Sequence, residues 1–140
     1  PVRETFESAI KFARAALEKY LPSDRRGRMA DFLNRLAYQP LDATTLEGHD
    51  DLAKKVGTPK HGLAIFLSTA PSLFGPTIKG LQSAGLTGEN VRMCLEKPLG
   101  TDLASSREIN DAVAGAFPES RIFRIDHYLG KETVQNLLAL

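Results

Sequence analysis

Cysteine is almost missing from this 140-residue sequence: Cys94 stands alone, so no disulfide framework can form within the chain. It lies in an apolar run and reads as a buried small residue. No apolar stretch reaches the roughly 20 residues that a membrane-crossing helix needs. The amino terminus also lacks the charged-then-apolar layout of a signal peptide. A soluble cytoplasmic protein is the default expectation. With 18 basic and 17 acidic residues the net charge is +1, too small to point to a nucleic-acid or membrane partner. An anionic ligand would have to be held by local charge. There is no internal repeat and no low-complexity segment, and no Gly-x-x-Gly follows any expected strand.

What is present reads as an alternation of helices and strands. Hydrophobic residues make up 42% and charged residues 25%, a globular balance in a chain long enough to bury a core. Residues 1–21 carry Phe6, Ile10, Ala13, Leu17 and Tyr20 along one helical face. Ser23 and Asp24 are expected to cap a second helix with Met29, Phe32, Leu33 and Leu36 on its apolar side. Residues 36–41 suggest a short strand, pushed towards an edge by Pro40. A weaker helix is expected over residues 47–56, stopped by Gly57 and Pro59. Residues 62–68 form a continuous apolar run of the kind a strand covered on both faces shows. A helix then runs to Ala84 and Gly85, residues 91–95 form a strand, and Thr101 and Asp102 cap a helix striped by Ile109, Ala112, Val113, Ala116 and Phe117. Residues 121–125 make a further strand. Val134, Leu137 and Leu138 then fall at helical spacing. Both ends read as cut, because each runs into or stops inside an amphipathic pattern. Strand–helix alternation argues for a parallel sheet with right-handed crossovers.

Three stretches can carry chemistry, each directly after an expected strand, where open α/β sheets bind ligands. The first holds Asp126, His127, Tyr128 and Lys131. A phosphate needs donors converging from one side, and a lysine just inside a helix start adds a charge to the free N–H groups there. The competing reading is a solvated strand end with a surface lysine and a backbone-bonded histidine. A metal is not expected, since adjacent Asp and His on a strand face opposite ways and no third ligand stands nearby. The second stretch is Glu96, Lys97 and Pro98, where Lys97 either reaches into the crevice or decorates a surface turn. The third is Ser68, Thr69, Ala70, Pro71 and Ser72, whose small side chains let a cofactor approach the backbone or simply make a strand-to-helix turn.

Together these stretches resemble the glucose-6-phosphate dehydrogenase family. Asp126-His127-Tyr128-Leu129-Gly130-Lys131, preceded by Arg124-Ile125 and followed by Glu132, reproduces that family's most specific run without a substitution. Glu96-Lys97-Pro98-Leu99-Gly100-Thr101-Asp102-Leu103 is similar to its second hallmark, in which an aromatic often replaces Leu99. The spacing between the two runs fits, and residues 38–42 match more loosely. The resemblance covers essentially the whole chain but a minority of the longer family sequence.

The resemblance implies a partial Rossmann-like doubly wound parallel sheet of about four strands, lacking its first strand and Gly-rich loop, with residues 1–140 as part of a dinucleotide-binding domain. It implies oxidation of glucose 6-phosphate at the anomeric carbon, with hydride passing to NADP. NAD stays open, because residues reading the extra phosphate would lie upstream. His127, Tyr128 and Lys131 would hold the sugar phosphate. Lys97 would lie between sugar and nicotinamide, contacting both and serving catalysis. Asp126 would orient a histidine base located beyond Leu140, so His127 is not cast as the base. Pro71 and Phe74 would lie at the cofactor; the family commonly has tyrosine at position 74. His49 and His61, in polar, loop-like surroundings, do not replace the missing base, so the isolated chain is expected not to turn over. The full-length protein would be a homo-oligomer. Two rivals remain: a sugar or inositol dehydrogenase sharing Glu-Lys-Pro, and a non-catalytic phosphosugar-binding module.

Overall fold

The computed structural model describes residues 6–58, 61–128 and 131. The chain divides into two compact units, Pro1–Leu41 and Asp42–Leu140. In the first, helix α1 (Phe6–Tyr20) half-buries Ile10, Ala13 and Leu17, while Tyr20 is exposed. Ser23 and Asp24 do not cap an α-helix as expected. Ser23–Arg28 winds as a 3₁₀ helix, and only Met29–Leu33 (α2) is α-helical. Gly27 within that run disfavours α-helix by about 1 kcal/mol relative to alanine, and tight i+3 turns are frequent at helix starts. Residues 36–41 form no strand. Pro40 offers no N–H to a ladder, and the segment stays outside the sheet.

The second unit is α/β. Its parallel sheet has the order β1–β2–β3, from Leu63–Leu67, Val91–Glu96 and Ile122–Ile125. Among the described residues there are therefore three strands where about four were expected. Helix α3 (His49–Val56) precedes β1. Helix α4 (Phe74–Ser83) joins β1 to β2, and α5 (Leu103–Ala116) joins β2 to β3. Registers Ile65–Met93, Leu67–Leu95 and Met93–Ile122 line up one apolar face. Phe74, Ile78, Ile109, Val113 and Phe117 complete the core with it. Each such side chain stabilises by roughly 1.5–3 kcal/mol on burial.

The other face differs from expectation. β1 is not covered on both sides: Phe66 is 52% exposed and Phe123 46%. Cys94, in register with both, is half-buried and not buried. The pleat sends alternate residues to opposite faces, and α4 and α5 supply core residues only to the face of Met93 and Leu95. The expected helix after Gly130 and the stop at Pro59 lie outside the described residues.

His49 also departs from expectation. Its ring is fully buried at the start of α3, packed against Gly80 of α4, where a Cβ would stand 2.1 Å from its Nε2. Only a glycine leaves room there. His61, in contrast, lies in an exposed turn.

Candidate active site

Parallel pairing brings the carboxyl ends of all three strands to one edge. β1 ends at Leu67, so Ser68 follows it; β2 ends at Glu96, so Lys97 follows; β3 ends at Ile125, so Asp126 and His127 follow. Glu96 is the register partner of Ile125. One step further on, Lys97 stands opposite Asp126, and its Nζ donates to Asp126 Oδ2 at 2.5 Å. Glu96 bonds His127 Nε2. Two acid–base pairs thus cross between neighbouring strand ends, 97 with 126 and 96 with 127.

The acids are the less exposed partners. Side chains of Asp126 and Glu96 are 17% and 27% exposed, against 56% for Lys97 and 68% for His127. The Lys97 hydrogen bond, then that from Tyr128 N–H, holds the Asp126 carboxyl below its ordinary value. Bonds from His127 and then from the Ser68 hydroxyl lower that of Glu96. Asp126 Oδ1 accepts from Tyr128 N at 2.9 Å, an Asx-type turn that starts the chain away from the strand. Lys131 Nζ lies 4.3 Å from the Tyr128 ring centroid, so ammonium and phenol travel together. Exposed ion pairs contribute little stability; these pairs fix side-chain direction.

The turn after Lys97 is equally determined. The Lys97–Pro98 bond is cis, and Gly100 has φ +103°. A Cβ at Gly100 would meet Ser106 N at 2.6 Å, so the turn closes onto α5 only with glycine. Asp102 caps α5 as expected: its Oδ1 accepts from Ser105 N at 2.8 Å, while Ser105 Oγ accepts from Asp102 N at 3.1 Å. The Ser105 N–H lowers the Asp102 pKa. Between the starts of α4 and α5 lies a cavity of about 420 Å³, lined by Pro71, Ser72, Gly75, Pro76, Gly100, Thr101, Ser105, Glu108 and Ile109.

The sequence-named groups fall in three sets. Lys97, Asp126 and His127 belong to the crossed pairs, Tyr128 and Lys131 form a neighbouring pair, and Pro71 lines the cavity. Phe74 is wholly buried in the core, beneath the turn that Pro71 begins. Its ring offers no surface to a ligand. Glu96 and Ser68 were named only as members of the second and third stretches, without a role. Their signal was position: each stands at a strand end.

A parallel α/β sheet with acid, amine, imidazole and phenol at its carboxyl edge defines a Rossmann-like, ligand-binding domain. The family described as "Glucose-6-phosphate dehydrogenase, NAD binding domain" matches residues 2–136, and this chain belongs to it. Glucose-6-phosphate 1-dehydrogenase of Zymomonas mobilis subsp. mobilis is 54% identical over 131 residues, 92% of this chain and 27% of that protein. The Gluconobacter oxydans protein of the same name is 43% identical over 139 residues, 96% of this chain and 28% of its own. The chain therefore spans about a quarter of the length of the curated relatives it matches. Among solved structures, glucose-6-phosphate 1-dehydrogenase from Mycobacterium avium superposes with TM-score 0.79 at 32% identity, covering 95% of this chain and 29% of that one. A glucose-6-phosphate dehydrogenase in complex with its substrate glucose-6-phosphate gives TM-score 0.76 at 32% identity over 97% and 30%. Among the described residues, no helix is long and apolar enough to cross a membrane.

Proposed function

We propose that this chain forms the cofactor-side wall and the sugar-phosphate grip of a glucose-6-phosphate dehydrogenase. The complete enzyme would oxidise D-glucose 6-phosphate to 6-phospho-D-glucono-1,5-lactone with NADP, in the cytoplasm and as a homo-oligomer. The observation that carries this reading is the meeting of its two hallmark runs: Lys97 of one and Asp126 of the other share a 2.5 Å hydrogen bond. A family resemblance in sequence becomes, at that contact, one continuous polar edge.

The residues fit a nicotinamide end and a phosphorylated sugar. The cavity between the starts of α4 and α5 is walled by small groups such as Ser72, Gly75 and Gly100, which permit close approach to backbone. Pro71 shapes that wall, and Phe74 supports it from the core. The nicotinamide, when bound, takes up the hydride. In this reading Lys97 places a positive charge between nicotinamide and sugar and contacts both. His127, Tyr128 and Lys131 supply the N–H and O–H donors that a phosphate requires. Asp126, ionised and aimed by Lys97, orients a histidine base from a segment outside these 140 residues and favours its protonated form as the anomeric proton leaves.

Comparing glucose with glucose 6-phosphate in the complete protein tests the reading. Strong preference for the phosphorylated sugar is expected. A sugar or inositol dehydrogenase that uses lysine for acid–base work would show no such preference, and a non-catalytic module would show the preference without NADPH formation. The 140-residue chain alone is expected to produce no NADPH in a steady-state assay.

A further inference from the structure

Ser68, Glu96 and His127 form a polar row across the sheet edge, one from each strand end. Ser68 follows β1, Glu96 closes β2, and His127 comes two residues after β3. The Glu96 carboxylate bonds His127 Nε2. An ionised carboxylate only accepts, so Nε2 must carry the hydrogen. That fixes the state of one ring nitrogen and leaves the other, Nδ1, without a hydrogen bond among the described residues. The ring is 68% exposed and reachable from solvent.

We infer that Glu96 is a positioning residue for sugar-phosphate binding: it accepts from His127 Nε2–H, and the ring meets the phosphate as an imidazolium whose Nδ1–H donates to a phosphate oxygen. This rests on the function proposed above and adds a residue to it. The alternative, that Glu96 merely balances charge, does not account for its placement. Charge balance for Lys97 is already supplied by Asp126, and for His127 any nearby acid would serve. Glu96 instead closes the central strand, in register with Ile125 two residues before His127. A ring fixed this way loses less freedom when the ligand arrives, which is where preorganised sites gain affinity.

The test uses the complete enzyme and four variants, Glu96→Ala, Glu96→Gln, His127→Ala and the double variant Glu96→Ala/His127→Ala. Glutamine can still accept from Nε2, whereas alanine cannot. Glu96→Ala is expected to raise KM for glucose 6-phosphate by about tenfold, roughly the loss of one charge-assisted hydrogen bond. KM for the nicotinamide cofactor should be unchanged, and Glu96→Gln should recover most of the loss. In a His127→Ala background, Glu96→Ala should have no further effect, because the two act as one unit. Glu96→Ala with the wild-type KM for glucose 6-phosphate, or an equal effect with and without His127, would overturn the inference. Wild-type enzyme that binds glucose as tightly as glucose 6-phosphate would instead overturn the functional reading itself.

Discussion

Lys97 and Asp126 face each other across the ends of two adjacent strands, with Nζ 2.5 Å from Oδ2, and the bond holds the Asp126 carboxyl below its ordinary value. A carboxyl lowered on folding stabilises the fold wherever it is ionised in the unfolded chain, above about pH 3.9. That contribution is lost as pH falls through the lower, folded value. Urea midpoints of wild type and Asp126→Asn should therefore differ by the same amount at pH 7 and pH 5, and converge in more acid solution. A gap that widens on acidification would show that the carboxyl is not held in this way.

Gly80 and His49 test the packing of α3 on α4. A Cβ at position 80 would lie 2.1 Å from His49 Nε2, and the His49 ring is fully buried. Gly80→Ala should destabilise by about 1–3 kcal/mol, the usual range for overpacking a core, although alanine is the better helix former. In a His49→Ala background the same substitution should cost little. Denaturant unfolding of the four proteins measures the coupling, and additive effects would contradict it.

Gly100 joins the Lys97 turn to α5. Its φ of +103° and the 2.6 Å approach to Ser106 N leave no unstrained place for a side chain. Gly100→Ala should cost of order 1–3 kcal/mol in stability. It should also raise KM for both ligands in the complete enzyme, because the turn carries Lys97 and lines the cavity. An unchanged thermal midpoint would show that the turn has slack.

Much of this could be read from residue order, and the exceptions have physical causes. The alternation of strand and helix, the Asp102 cap and the stripe of Ile109, Val113 and Phe117 are local signals, and the second unit folds accordingly. Residues 36–41 have an apolar pattern, but Pro40 offers no N–H to a ladder and they form no strand. His49 was hidden because nothing in its own surroundings announces Gly80, 31 positions away. Phe66 and Cys94 read as core because apolar runs do not reveal which face a helix will cover. Glu96 was named without a role for a similar reason: its partner His127 becomes a neighbour only through β2–β3 register. Lys97, Asp126 and His127 were visible because their motifs name them.

The phosphate grip is the claim on which the functional account depends, and calorimetric titration of glucose 6-phosphate into the complete protein, wild type and Lys131→Ala, tests it most directly. Removing that ammonium should weaken binding of the phosphorylated sugar by about 10- to 100-fold, the range for a lost charge-assisted contact, and leave glucose binding as it was. Equal affinity of wild type and variant for glucose 6-phosphate would contradict the account.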